Sequence, residues 1–237
     1  MTMSSLENAS NLTRLPTRMS VMTGAGRNLR HAVLICVIAF GTVGLGLLVP
    51  GLLLGASNMG FKVNRLLVGG NSIKQWVSIP YRSPYHNADD ILQRLMAGSG
   101  TVTRYLPTFP ASTEFWTGSL GTNFAVMPGE GYELAPTITI ERLIVGSHDA
   151  SVVVPAGGFI ANREYIMSIP YHSVSETADD LLRELPTGGT LTKLLPTSPP
   201  SVSFWTGSLG TNFPLVIGEA YKFKPIANAP GFIPSHY

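Results

Sequence analysis

A single cysteine, Cys36, stands in a chain of 237 residues. It lies inside an apolar run rather than at its end, so the portion beyond that run has no disulfide and no Cys metal ligand, and the lipoprotein pattern is excluded. Charge is scarce too, with Asp, Glu, Lys and Arg making up 13% of the residues. Helical bundles need charged outer faces, so this composition points instead to compact β-rich units. A basic patch is also missing. The formal net charge is +2, but Arg14, Arg18, Arg27 and Arg30 against Glu7 leave +3 in the first 57 residues, while the remainder carries 12 basic and 13 acidic side chains. Nucleic acid is therefore not expected as a partner.

What the chain has in plenty is Gly (25), Pro (18) and repetition. Phe115 to Phe124 recurs without change as Phe204 to Phe213. Around this decapeptide Ser78-Ile79-Pro80-Tyr81 returns as Ser168-Ile169-Pro170-Tyr171, Asp89-Asp90 as Asp179-Asp180, and Gly129-Glu130 as Gly218-Glu219. The offset is 90 residues before the Gly-rich stretch and 89 after it. Two tandem copies of one small unit follow, each large enough for one modest core.

Residues Ala32 to Ala56 are uncharged and almost wholly apolar, behind Arg27, Arg30 and His31. About 25 residues at 1.5 Å each would cross a hydrocarbon core of about 30 Å, and the basic flank keeps the N-terminus cytoplasmic. The segment reads either as a signal peptide cut near Asn58 or as an uncleaved anchor that holds the chain in the membrane through residues 32 to 56. Either way the copies lie outside the cytoplasm, extracellular or in the cell envelope. The expected organisation is a polar and basic leader over 1–31, the apolar segment over 32–57, a first module over 58–140 and a second over 141–237.

Within each module, Trp76 to Ile79 and Tyr165 to Ile169 read as strands ended by Pro80 and Pro170. Asn87 and Thr177 are N-caps for short helices over Ala88 to Leu95 and Ala178 to Leu185, with the paired aspartates in the first turn. Further strands are expected over Thr101 to Leu106 and Thr190 to Leu195, over Thr113 to Thr117 and Ser201 to Thr206, and over Tyr132 to Ile140 and Tyr221 to Ile226. Phe124 to Met127 and Phe213 to Ile217 form short apolar runs. Arg65 to Gly69 is matched to Arg142 to Gly146 as the start of each copy, which leaves Ala150 to Asn162 as an insertion, a hairpin or an extra edge strand. The expected fold is mainly β (α+β): two copies of a small β-sandwich or barrel-like module with one short helix each, after an N-terminal hydrophobic helix.

The residues Trp76 to Tyr81, Ala178 to Leu182 and Asn212 to Tyr221 resemble repeat modules of bacterial exported and cell-surface proteins. The likeness extends over Arg65 to Pro136 and Arg142 to Ile226, with Ile166 in the second copy where the first has Trp76. It implies an architecture and a location, and no activity.

Candidate chemistry is thin. Adjacent aspartates on a helix point apart, unlike the facing carboxyls of a glycosidase, and helix-start charge accounts for them. Glu130 and Glu219 sit in Gly-Glu turns, where each can accept backbone N–H bonds or meet a ligand. Ser119 and Ser208 lie in Thr-Gly-Ser-Leu-Gly, which lacks the first glycine of a nucleophile elbow. His86 and His172 do not align, and His148 and His236 have no counterparts, so a Ser–His pair common to both copies is excluded. A lone histidine here reads as a surface-loop residue. The Gly-Ser-Leu-Gly-Thr-Asn loop is only a weak phosphate cradle, since no lysine follows it. No cofactor or metal is expected.

Phe115-Trp116 and Phe204-Trp205 are the strongest binding candidates. Neighbours in a strand face opposite sides, so one core cannot hold both aromatics. The candidate ligand-binding residues are Trp116, Trp205, Ser119, Asn123, Ser208 and Asn212. The expectation is a non-enzymatic structural or adhesive cell-surface protein, its partners a glycan or another surface protein. Three alternatives stand beside it: a carbohydrate-binding pair using Trp116 and Trp205, a glycan-active hydrolase, and a self-associating filament subunit with an unpaired edge strand.

Overall fold

The computed structural model describes residues 61–70 and 72–235. The leader, and the apolar segment read as signal peptide, anchor and hydrophobic helix, lie outside the described residues. Among the described residues no helix is long and apolar enough to cross a membrane.

The fold is mainly β, with one short helix in each copy. The first copy contributes β1 (Phe61–Leu67), β2 (Gln75–Ser78), α1 (Ala88–Leu95), β3 (Gly100–Leu106), β4 (Ser112–Trp116), β5 (Gly131–Pro136) and β6 (Ile140–Gly146). From the second come β7 (Tyr165–Ser168), α2 (Ala178–Glu184), β8 (Gly189–Leu195), β9 (Ser201–Trp205) and β10 (Ala220–Pro225). Two antiparallel four-stranded sheets result, in the orders β2-β5-β3-β4 and β7-β10-β8-β9, together with a two-stranded β1-β6 ribbon. The apolar runs after the decapeptides make only single bridges, Asn87 to Ala125 and Thr177 to Pro214, rather than strands.

The helices start where their caps dictate. Asn87 Oδ1 accepts the Asp90 amide at 2.9 Å. Thr177 and Asp180 form a reciprocal capping box, with the Asp180 carboxyl accepting the Thr177 amide at 3.0 Å. The Thr177 hydroxyl, also bonded to Asp180, holds that carboxyl below its usual range against some opposing desolvation. In α1 the apolar face of Ile91, Leu92 and Leu95 is buried. It packs with Val77, Val102, Tyr132 and Leu134 of the sheet and with Leu67 and Ile144 of the ribbon. The second copy repeats this core with Met167, Leu181, Leu191, Tyr221 and Phe223, closed by Val154, Phe159 and Phe232.

The other faces of the two sheets meet. Trp76, Ile166 and Ala220 form a third apolar cluster, with Tyr105 and Leu194 against it. Strands β2 and β7 are consequently buried on both sides. That is why their sequences lack polar alternation.

Counterpart contacts are reciprocal. The Ser78 amide donates to Gly218 O at 3.0 Å, and the Ser168 amide to Gly129 O at 2.9 Å. Val77 bridges Glu219 while Met167 bridges Glu130. This mutual exchange is the geometry of an isologous pair, here a pseudo-twofold within one chain.

Register overturns the expected insertion. In the β1-β6 ribbon Asn64 stands opposite Leu143, and in the second copy Val154 bridges Phe232. Residues 64 and 154 differ by 90 and residues 143 and 232 by 89, the two offsets of the repeat itself. The stretch from Ala150 to Asn162 is therefore the counterpart of the β1 region, and the C-terminal stretch from Ala229 to Ser235 is the counterpart of β6. It forms neither a hairpin nor a full strand. Pro155 and Pro230 lack the amide a longer ladder requires. Arg65 to Gly69 and Arg142 to Gly146 do not begin successive copies either: Arg65 and Arg142 are paired directly across the ribbon. The strand expected to run from Tyr132 to Ile140 stops at Pro136.

The layer between the sheets is polar in one respect, and inverted between copies. Glu133 is buried, with its carboxylate 2.7 Å from Lys74 Nζ. It also accepts from the Trp76 indole N–H at 3.2 Å and the Tyr105 hydroxyl at 2.8 Å. At the counterpart positions Lys222 pairs with Glu164 at 3.1 Å, and Lys222 Nζ lies 5.6 Å from the Trp76 ring centroid.

Candidate functional site

The duplicated decapeptide is the end of an edge strand followed by a closed loop. In the first copy the Thr117 amide donates to Leu120 O at 3.1 Å, and the Thr122 amide to Phe115 O at 2.9 Å. The Thr117 hydroxyl accepts the Leu120 amide at 3.1 Å. Every one of these bonds recurs one copy later, among Thr206, Leu209, Thr211 and Phe204. The amides of Leu120 and Thr122, like those of Leu209 and Thr211, are thus turned inward on the loop itself and are not offered to a phosphate. Gly121 and Gly210 adopt φ of 94° and 98°, and a Cβ at either would run into the carbonyl of Phe115 or Phe204. Only glycine fits there.

A side-chain clasp ties the loop to the helix N-terminus. The Trp116 indole N–H donates to Asp89 Oδ1 at 3.0 Å, and the Asp89 amide donates to Asn123 Oδ1 at 2.9 Å. In the second copy Trp205 reaches Asp179 at 3.1 Å, and the Asp179 amide reaches Asn212 at 3.0 Å. The structure thus brings Trp116 and Asn123 together, and likewise Trp205 and Asn212, around an aspartate. Both indoles are half-buried against their own cores. Ser119 and Ser208 lie apart from the clasp, exposed at the loop tips.

Among the side chains that these bonds do not use, the large apolar ones at two repeated positions stay exposed. Phe115 is 44% exposed and Leu120 67%; Phe204 is 46% exposed and Leu209 69%. With Ser119 and Ser208 they form two matched, mainly apolar tips, each beside an edge strand.

The Gly-Glu turns also differ from expectation. Their carboxylates take side-chain donors rather than backbone amides. Glu130 accepts from Arg104 at 2.7 Å and from the Tyr132 hydroxyl at 3.2 Å. Glu219 accepts from Arg65 at 3.3 Å, from Lys193 at 2.8 Å and from the Tyr221 hydroxyl at 3.2 Å. Burial, and then the neighbouring glutamate, pushes both tyrosine hydroxyls far above their ordinary pKa. A cavity of about 90 Å³ opens beside Glu130 at the junction of the copies. A larger hollow, about 450 Å³, lies on the second copy. Ser175 on its wall is the counterpart of Tyr85, which is buried in the first core.

Sequence reasoning missed one cluster altogether. His148 and His172 stand with ring centroids 4.3 Å apart, beside Tyr81 and Tyr171. His172 is buried, so it is no surface-loop histidine. The two come from different copies at unmatched positions, and only the pseudo-twofold junction brings them together. Among the described residues no group of three His, Cys, Asp or Glu side chains is placed to hold a metal ion.

No protein-family model matches the chain, and no curated protein or solved structure does.

Proposed function

We propose that the chain is an exported, non-enzymatic structural or adhesive protein that engages another surface protein through two matched apolar tips, Phe115–Leu120 and Phe204–Leu209. One observation carries this reading: these large apolar side chains are exposed in both copies, whereas the neighbouring Trp116, Asn123, Trp205 and Asn212 are engaged in the clasp. Exposed phenylalanine and leucine at repeated positions mark a contact surface better than a scaffold. The pseudo-twofold offers the same contact twice, so a weak interaction at each tip gains by avidity. The apolar run behind Arg27 and Arg30 supports export. The half-buried indoles, with their N–H groups bonded to Asp89 and Asp179, favour contact through the phenylalanines and leucines over stacking on Trp116 and Trp205.

The test uses the full chain immobilised on beads, assayed for adhesion to protein-coated surfaces and on a glycan array. Replacing Phe115 and Leu120 by serine is expected to weaken adhesion about ten-fold or more, because avidity is lost. Replacing Phe204 and Leu209 as well should abolish it, with the melting temperature nearly unchanged. Adhesion that survives the fourfold replacement overturns the reading. Glycan binding lost in Trp116→Ala and Trp205→Ala would replace it with the carbohydrate-binding one.

A further inference from the structure

The pseudo-twofold places the same cleft at both Gly-Glu turns, but the two clefts are filled differently. At Glu219 two cations converge, Arg65 Nη2 at 3.3 Å and Lys193 Nζ at 2.8 Å, and all three side chains are 15–17% exposed. At Glu130 there is one, Arg104, whose Nη2 lies at 2.7 Å and whose Nη1 also faces Glu114 at 3.8 Å. The Glu130 side chain is 32% exposed. Sequence explains both differences. Arg65 has Pro155 as its counterpart, and Glu114 has Ser203. Counting the named side chains, the cleft at Glu219 carries one net positive charge and the cleft at Glu130 one net negative charge.

The cavity of about 90 Å³ lies at the Glu130 cleft, lined among others by Tyr105, Gly129, Glu130, Pro155, Tyr165 and Met167. Pro155 on its wall is the residue that replaces Arg65. We propose that this cavity binds a guanidinium or alkylammonium group, carried by an arginine or lysine side chain of a partner polypeptide, which takes at Glu130 the place that Arg65 takes at Glu219. The volume holds a few water molecules' worth of polar group. A carboxylate offers about four acceptor sites, so Glu130 keeps capacity beyond Arg104 and Tyr132. The site lies apart from the apolar tips and does not depend on their role.

Calorimetric titration of the full chain with N-acetyl-arginine methylamide tests the proposal, with the neutral citrulline analogue as control. Expected is saturable binding of one equivalent, about ten-fold weaker or absent for citrulline, reduced by added salt and lost in Glu130→Gln. Arg65→Ala supplies an independent arm. It opens the Glu219 cleft, so the stoichiometry should rise to two and the probe should restore part of the lost melting temperature. The proposal is overturned by no saturable binding to the unmodified chain, by equal binding of citrulline, or by unchanged binding in a folded Glu130→Gln. Should Glu130→Gln not fold, a stoichiometry in Arg65→Ala that stays below two overturns it. Serine replacements at the tips should leave this binding intact, which separates its failure from that of the adhesive reading.

Discussion

The hydroxyl of Ser78 meets that of Ser168 at 2.8 Å, so counterpart residues of the two copies touch each other at the pseudo-twofold. Their surroundings are nevertheless unequal. Ser168 Oγ also accepts the Ile79 amide at 2.9 Å and is fully buried. Ser168→Ala leaves that amide unpaired and is expected to cost about 1–3 kcal/mol, whereas Ser78→Ala should cost about 0.5–1.5 kcal/mol. Denaturant titration of both variants and the double variant measures this, and equal single costs would contradict the assigned asymmetry.

Glu133 is the polar keystone of the layer between the sheets. Its side chain is 5% exposed and Lys74 is its ionic partner. Glu133→Ala strands the Trp76 indole and the Tyr105 hydroxyl. A loss of about 1–3 kcal/mol is expected from the stranded buried donors, since Lys74, 45% exposed, can turn to water. Glu133→Gln keeps an acceptor and should cost clearly less. Thermal unfolding of the two variants would show the difference, and equal losses would mean that the hydrogen bonds contribute little.

Much of this fold is legible in the sequence where local chemistry decides it. Asn87, Thr177 and their aspartates announce α1 and α2, and the strands before Pro80 and Pro170 end at Ser78 and Ser168. What local chemistry cannot announce is pairing. The Arg-Leu-x-Val-Gly likeness of residues 65–69 and 142–146 suggests equivalence, yet β1 and β6 lie side by side. The true counterpart of β1 contains Pro155 and Gly157-Gly158, which erase the resemblance. The clasp was hidden for a similar reason. Trp116 and Asp89 are 27 residues apart, and only the return of the loop onto α1 joins them.

Stability should fall at both ends of the pH scale, for opposite reasons. The Ser151 hydroxyl, then the Ser151 amide and Arg82, lower Asp149 from 3.8 to about 2. A depressed carboxyl stabilises the fold above its unfolded pKa, so this contribution is lost as pH falls from 3.8 towards 2. Burial raises Tyr81, Tyr105, Tyr132 and Tyr221 from 10.0. Their contribution is complete below that value and declines as pH rises past it. Tyrosinate absorbance from these four should therefore appear together with alkaline unfolding. Gradual ionisation in a chain that stays folded would contradict their burial.

Two glycines in one loop separate backbone strain from steric clash. Gly207 has φ of 89° with nothing within 4 Å of a built Cβ, so Gly207→Ala bears only the left-handed backbone cost of about 1 kcal/mol. Gly210 has φ of 98°, and its Cβ would strike the Phe204 carbonyl that accepts the Thr211 amide. Gly210→Ala must shift that carbonyl, open the loop and pull Asn212 from the Asp179 amide at 3.0 Å. A cost of about 3 kcal/mol or more is expected, because clash and lost hydrogen bonds add to strain. In the first copy Gly121 meets the Phe115 carbonyl in the same way, so Gly121→Ala and Gly210→Ala should agree, because their clasps agree bond for bond. Unfolding free energies for the three variants check this directly. A mild Gly210→Ala would mean that the loop tolerates another path, and the invariance of the decapeptide would then have to come from what its tips touch.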